Sequence, residues 1–137
     1  MLSLQNPRKI GFLADLSALP RLRELHIHDC VTADVFDRTY ESFPELRRVL
    51  FNRCWLTDLA ALGALPDLRR LEIIDCPSLT SLDALRRMPR LRTVNLRGAR
   101  PGLDLPPLAG RDIRVVVGAK DRVKGIPLLR PGTVHRV

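Results

Sequence analysis

One phrase occurs four times in this chain, and a sequence that repeats itself at such a short interval has few folds open to it. The copies are LSALPRLRELHIHDC (16–30), YESFPELRRVLFNRC (40–54), LGALPDLRRLEIIDC (62–76) and LRRMPRLRTVNLRGA (85–99). Their prolines, Pro20, Pro44, Pro66 and Pro89, stand 24, 22 and 23 residues apart. A unit of that length cannot bury its own apolar side, so copies must stack and share a continuous core. Within the phrase Leu62, Leu65, Leu68 and Leu71 recur at intervals of three, and the interval then tightens to two at Ile73. Residues three apart eclipse in a 3₁₀ turn, whereas residues two apart share one face of a strand. Each copy therefore reads as tight turns leading into a short strand.

Alternation along the strands sorts inside from outside. The expected strands are 24–28, 48–52, 70–74 and 93–97, with one more inside 112–117, making about five parallel strands on the concave side of an α/β solenoid. Leu25, Ile27, Val49, Phe51, Leu71 and Ile73 point inward. The concave face then carries Glu24, Arg48, Arg70 and Thr93 in one column, His26, Leu50, Glu72 and Asn95 in the next, and His28, Asn52, Ile74 and Arg97 in the third. The segment 32–43 departs from the interval of three, since Phe36, Tyr40 and Phe43 are spaced four and three apart, and it reads as one short helix. Residues 1–12 read as a truncated first repeat, with Leu2 and Leu4 matching Leu25 and Ile27. Residues 13–99 form the core, and 100–137 hold the last strand and an irregular C-terminal cap. No polar cap precedes Leu2, so the chain is expected to be the C-terminal part of a larger polypeptide, or to have this end covered by a partner.

The strand phrases LRELHIHDC, LRRVLFNRC and LRRLEIIDC resemble the leucine-rich repeat core L-x-x-L-x-L-x-x-N/C. The cysteine and the three-residue spacing in LTDLAALGALPDL are similar to the cysteine-containing and internalin-like subclasses. That resemblance implies that Cys30, Cys54 and Cys76 stack inside at the bend after each strand, as small apolar side chains. The arginine-rich style further resembles the C-terminal sensor arrays of bacterial NACHT-type signalling NTPases. The chain has no G-x-x-x-x-G-K-[ST] phosphate loop, so any NTPase domain would lie upstream in the same polypeptide.

Three cysteines at repeat spacing form neither a disulfide framework nor close metal-binding pairs, and with no signal-peptide pattern they point to the cytosol. No apolar run is long enough to cross a membrane. His26, His28 and Asp29 could suggest a metal, but Glu72 lies two strands away, about 9.6 Å at the usual strand spacing, so a solvated or partner-contacting histidine pair is the expectation. The serines Ser3, Ser17, Ser42, Ser78 and Ser81 fall in turns or at strand ends without a paired histidine. The sequence thus reads as a non-enzyme without a cofactor. Its expected role is protein recognition through the concave residues named above, centred on Leu50 and Ile74 amid Arg48, Arg70, Glu72 and Asn52. The alternative is binding of nucleic acid or another polyanion. The net charge of +8 allows it, and Arg23, Arg47, Arg69 and Arg92 recur at one place in every phrase as candidate anion-binding residues.

Overall fold

The computed structural model describes residues 1–5, 21–30, 44–60 and 65–137. Among these residues seven short strands run in chain order through one sheet: β1 (Leu2–Gln5), β2 (Glu24–His28), β3 (Arg48–Asn52), β4 (Arg70–Ile74), β5 (Thr93–Asn95), β6 (Arg114–Val117) and β7 (Val134–Arg136). Every neighbouring pair is parallel, the arrangement of a solenoid that climbs one strand per turn. Leu2 and Leu4 pair with Leu25 and Ile27, the match that the leucine spacing implies.

The expected total of about five strands is corrected to seven. Within 100–137, β6 is followed by a further 3₁₀ turn and by β7, which continues the sheet. The chain step between paired inner residues is 24 from Leu25 to Val49, then 22, 23, 21 and finally 19 at Val134. Repeats that shorten in this way lose one leucine after another, and with them the spacing that marks a repeat in sequence. Leu103, Leu105, Leu108 and Ile113 nevertheless occupy the core. The last inner position is Arg136, paired with Val117, and its guanidinium donates to the carbonyls of Gly118, Ala119 and Asp121. A charge at an inner position of the terminal strand discourages further strand addition.

The core is a stack of inner columns. Leu25, Val49, Leu71, Val94 and Val115 form one, all buried, and Ile27, Phe51 and Ile73 begin the next. On the return path Leu79, Leu82, Leu85, Met88 and Leu91 are all buried, at the interval of three that suits 3₁₀ geometry. Among the described residues 3₁₀ turns lie there at Asp83–Arg87, Pro106–Leu108 and Ile126–Leu128. The last two have proline in the first turn, where the missing N–H has no helical partner to lose. The helix expected over 32–43 lies outside the described residues. No helix among the described residues is long and apolar enough to cross a membrane.

Two backbone ladders close each turn. At the strand starts the carbonyl of Arg23 accepts the N–H groups of Arg47 and Arg48, that of Arg47 those of Arg69 and Arg70, and that of Arg69 those of Arg92 and Thr93. At the strand ends Asp29, Arg53 and Asp75 adopt left-handed φ of 56°, 54° and 52°, and Gly98 follows with 72°. The left-handed turn aims the N–H of Asp29, Arg53 and Asp75 at a carbonyl of the next repeat. Gly98 has a second reason to be glycine, since a Cβ there would lie 2.1 Å from Asp75 Oδ1 and 3.0 Å from its Cα.

Directly after these bends come Cys30, Cys54 and Cys76, all buried. The Cys54 N–H reaches Cys76 Sγ at 3.4 Å, and the Cys76 thiol points at the carbonyl of Ile74, 3.3 Å away. The adjoining Cys54 thiol, and then burial, push the Cys76 pKa up, so that thiol stays protonated.

Candidate recognition face

The outward positions of the strands line up in three columns across the sheet. Strand register puts Glu24, Arg48, Arg70, Thr93 and Arg114 in the first. Ser3, His26, Leu50, Glu72, Asn95, Val116 and His135 form the second, and Gln5, His28, Asn52 and Ile74 the third. Eleven of the twelve residues expected on this face are therefore on its strands. Arg97 is not, because β5 ends at Asn95 rather than at residue 97. Asn95 is the cause: its side-chain oxygen accepts the Arg97 N–H at 3.3 Å, offering the backbone a local partner in place of the ladder. Arg97 is exposed beside the face, at the bend.

Glu72 departs most from the simple alternation. It points to the outer side of β4, as its parity requires, yet it is only 5% exposed. Arg48 and Arg70 flank it from the neighbouring column and fold over it. Arg48 donates to Oε2 from Nε at 2.9 Å and from Nη2 at 2.8 Å, while Arg70 donates to Oε1 at 2.9 Å. Burial alone would raise the Glu72 carboxyl, but these bonds and the two positive charges outweigh it and hold the pKa below the usual carboxylate range. Arg48 Nη1 also stands 3.7 Å from Glu24 Oε2, so four alternating charges run Glu24, Arg48, Glu72, Arg70 across three strands.

His26 is not the solvated histidine expected from sequence. Its side chain is 15% exposed, and its buried Nε2 has no hydrogen-bond partner among the described residues, with Glu24 Oε2 at 3.9 Å. Burial, followed by the nearby Arg48 charge, lowers its pKa and keeps the ring neutral at neutral pH. His28 Nδ1 faces Asn52 Nδ2 at 3.4 Å. Among the described residues no group of three or more His, Cys, Asp or Glu is placed to hold a metal ion, and Glu72 is already committed to its two arginines. Leu50, between His26 and Glu72, and Ile74, beside Asn52, are both half-buried.

The arginine ladder is present at the strand starts, where Arg23, Arg47, Arg69 and Arg92 are all exposed. Arg23 Nε lies 3.7 Å from Glu45, and Asp67 is bound by Arg90 rather than by Arg69. Among the described residues no carboxylate stands within ion-pair distance of Arg47, Arg69 or Arg92. Of the serines, Ser81 is held in a turn, donating to Asp83 Oδ2 and accepting the Asp83 N–H, both at 3.1 Å; Ser17 and Ser42 lie outside the described residues.

Sequence reasoning missed Ser3, Gln5, Arg114, Val116 and His135 as members of the face. The first two follow from the Leu2 and Leu4 match by alternation, and Arg114 and Val116 from the strand expected inside 112–117. His135 had no such signal, because its repeat is the shortened one. No protein-family model matches the sequence, and neither a curated protein nor a solved structure gives a significant match.

Proposed function

We propose that this chain is a recognition module of the leucine-rich repeat type, which binds a protein partner on the concave side of its sheet, as the sensing part of a larger signalling polypeptide. The observation that supports this reading is the Arg48, Glu72 and Arg70 cluster. A buried carboxylate fixes two guanidinium groups beside half-exposed Leu50 and Ile74, so the ordering of long side chains that usually opposes binding is already met in the free protein. Arginine and apolar anchors at the centre of a patch, rimmed by polar groups such as Asn52 and His28, are how binding hot spots are built.

Selection of a displayed peptide library on the folded protein tests the reading. Sequences that bind the wild type should lose about tenfold or more on Leu50→Asp/Ile74→Asp, and should keep their affinity for Arg23→Glu/Arg69→Glu. The competing reading draws on the carboxylate-free Arg47, Arg69 and Arg92. If the ladder neutralises about four phosphates, log K for RNA or DNA should fall with log salt at a slope of roughly −3 to −4. That slope, abolished by Arg23→Glu/Arg69→Glu alone, would replace protein recognition with polyanion binding.

A further inference from the structure

Charge is divided unevenly along the stack. Residues 1–76 hold ten basic and eleven acidic side chains, a net −1, and residues 77–137 hold thirteen and four, a net +9, which together give the +8 of the chain. An arginine-rich composition alone would raise the basic count everywhere. What sets the second part apart is the loss of acidic partners. Arg23, Arg48, Arg53 and Arg70 each reach a carboxylate, whereas among the described residues only Arg86 and Arg90 of the later thirteen cations do. Of the four late acids Asp83 is taken by Arg86 and Ser81, and Asp121 accepts the backbone N–H groups of Gly98 and Gly118 at 3.1 and 2.6 Å.

Several of these uncompensated cations border the last three strands. Arg114 starts β6 on the outer face, in the column of Arg70 and Thr93. Beside it lies a shallow recess of 230 Å³ lined by Arg114, Arg130, His135 and Thr133, with Asp112 as its one acid. Farther along the strand start, Arg111 donates to the carbonyls of Leu85 and Met88, and burial, then the nearby Arg92 charge, lowers its pKa. Val116, half-buried, forms an apolar floor in the middle column, and exposed Arg97 stands on the strand-end side. The result is one half-buried apolar residue between Asn95 and His135, with guanidinium groups on both borders.

The residue types narrow the ligand. Residues 77–137 contain no Phe, Tyr or Trp, so this surface offers unpaired bases only the imidazole of His135 and not the succession of aromatic rings on which a strand stacks. Eleven of the thirteen cations are arginine, whose planar fork matches a carboxylate in two places. We propose that the outer face of β5 to β7 binds an extended acidic polypeptide segment, its carboxylates on Arg97, Arg114 and Arg130 and an apolar side chain on Val116. This surface lies beside the Leu50 and Ile74 centre and does not require it.

Fluorescence anisotropy with a labelled peptide of alternating Glu and Val, against single-stranded and duplex DNA of equal charge, tests the proposal at low and physiological salt. The wild type should bind the peptide more tightly than either DNA. Arg114→Glu/Arg130→Glu should weaken the peptide by about tenfold or more, the worth of one charge-assisted pair, and Arg97→Glu should act in the same direction. Leu50→Asp/Ile74→Asp should leave it unchanged, which separates this surface from the central one. Arg114→Gln/Arg130→Gln gives the same readout without charge reversal, should the first pair impair folding. The proposal is overturned if the wild type does not bind the peptide, if neither double variant at Arg114 and Arg130 alters its affinity, or if DNA binds more tightly with a steep salt slope.

Discussion

Leu71→Ala is expected to lower the stability of the folded chain by ~2–5 kcal/mol, read as a shift of the urea midpoint with an unchanged slope. Leu71 is 0% exposed and pairs with Val49 on one side and Val94 on the other, in the middle of the inner column. In a stack each layer touches only its neighbours, so a cavity there loosens both interfaces that β4 makes. The rigid backbone ladders at the two ends of the strand leave little room to collapse around it. An effect below ~1 kcal/mol would mean that Leu71 does not face the core.

Glu72→Ala, one residue along and on the opposite face, is expected to destabilise by ~1–3 kcal/mol. Simple alternation would make this outward position nearly silent, and the buried carboxylate is what changes the expectation. Without it Arg48 and Arg70 keep two positive charges side by side, although both are partly exposed, so water repays some of the loss. The same cluster sets a pH dependence. The folded pKa of Glu72 is depressed, so its contribution is complete above its unfolded value of about 4.3 and is lost as pH falls through the lower folded value. Urea midpoints of wild type and Glu72→Gln should therefore differ most at neutral pH and converge as acid takes the pH below the depressed folded pKa of Glu72. A difference that does not shrink with acid would mean that Glu72 acts through its shape alone.

These two neighbours mark where the sequence is legible and where it is not. A period of two determines which way a side chain points, and Leu71 and Glu72 both obey it. Burial on the outer face depends on something else, the reach of Arg48 and Arg70 over the carboxylate between them, and that is a property of three strands together. The same limit explains His26, which is less exposed than alternation predicts because its neighbours Arg48 and Glu24 lie beside it. The leucine spacing locates β2, β3 and β4 to the residue, and the Leu2 and Leu4 match gives β1 its register. It fails at β7, whose repeat is 19 residues long and has Arg136 at an inner position. The left-handed bends are legible only at Gly98; Asp29, Arg53 and Asp75 adopt the same conformation without the residue that usually announces it. On the face itself, Asn95 ends β5 early through a side-chain hydrogen bond, two residues before the end that alternation alone predicts, which leaves Arg97 at the bend.

Native-state thiol labelling tests most directly whether the repeated phrase stacks as described. Cys30, Cys54 and Cys76 close three successive turns, and each is buried, so one reagent reports on the register of three layers at once. All three should react slowly in the folded protein, at a rate limited by opening of the stack, and rapidly once it is denatured. Fast labelling of Cys54 or Cys76 under native conditions would contradict the stack.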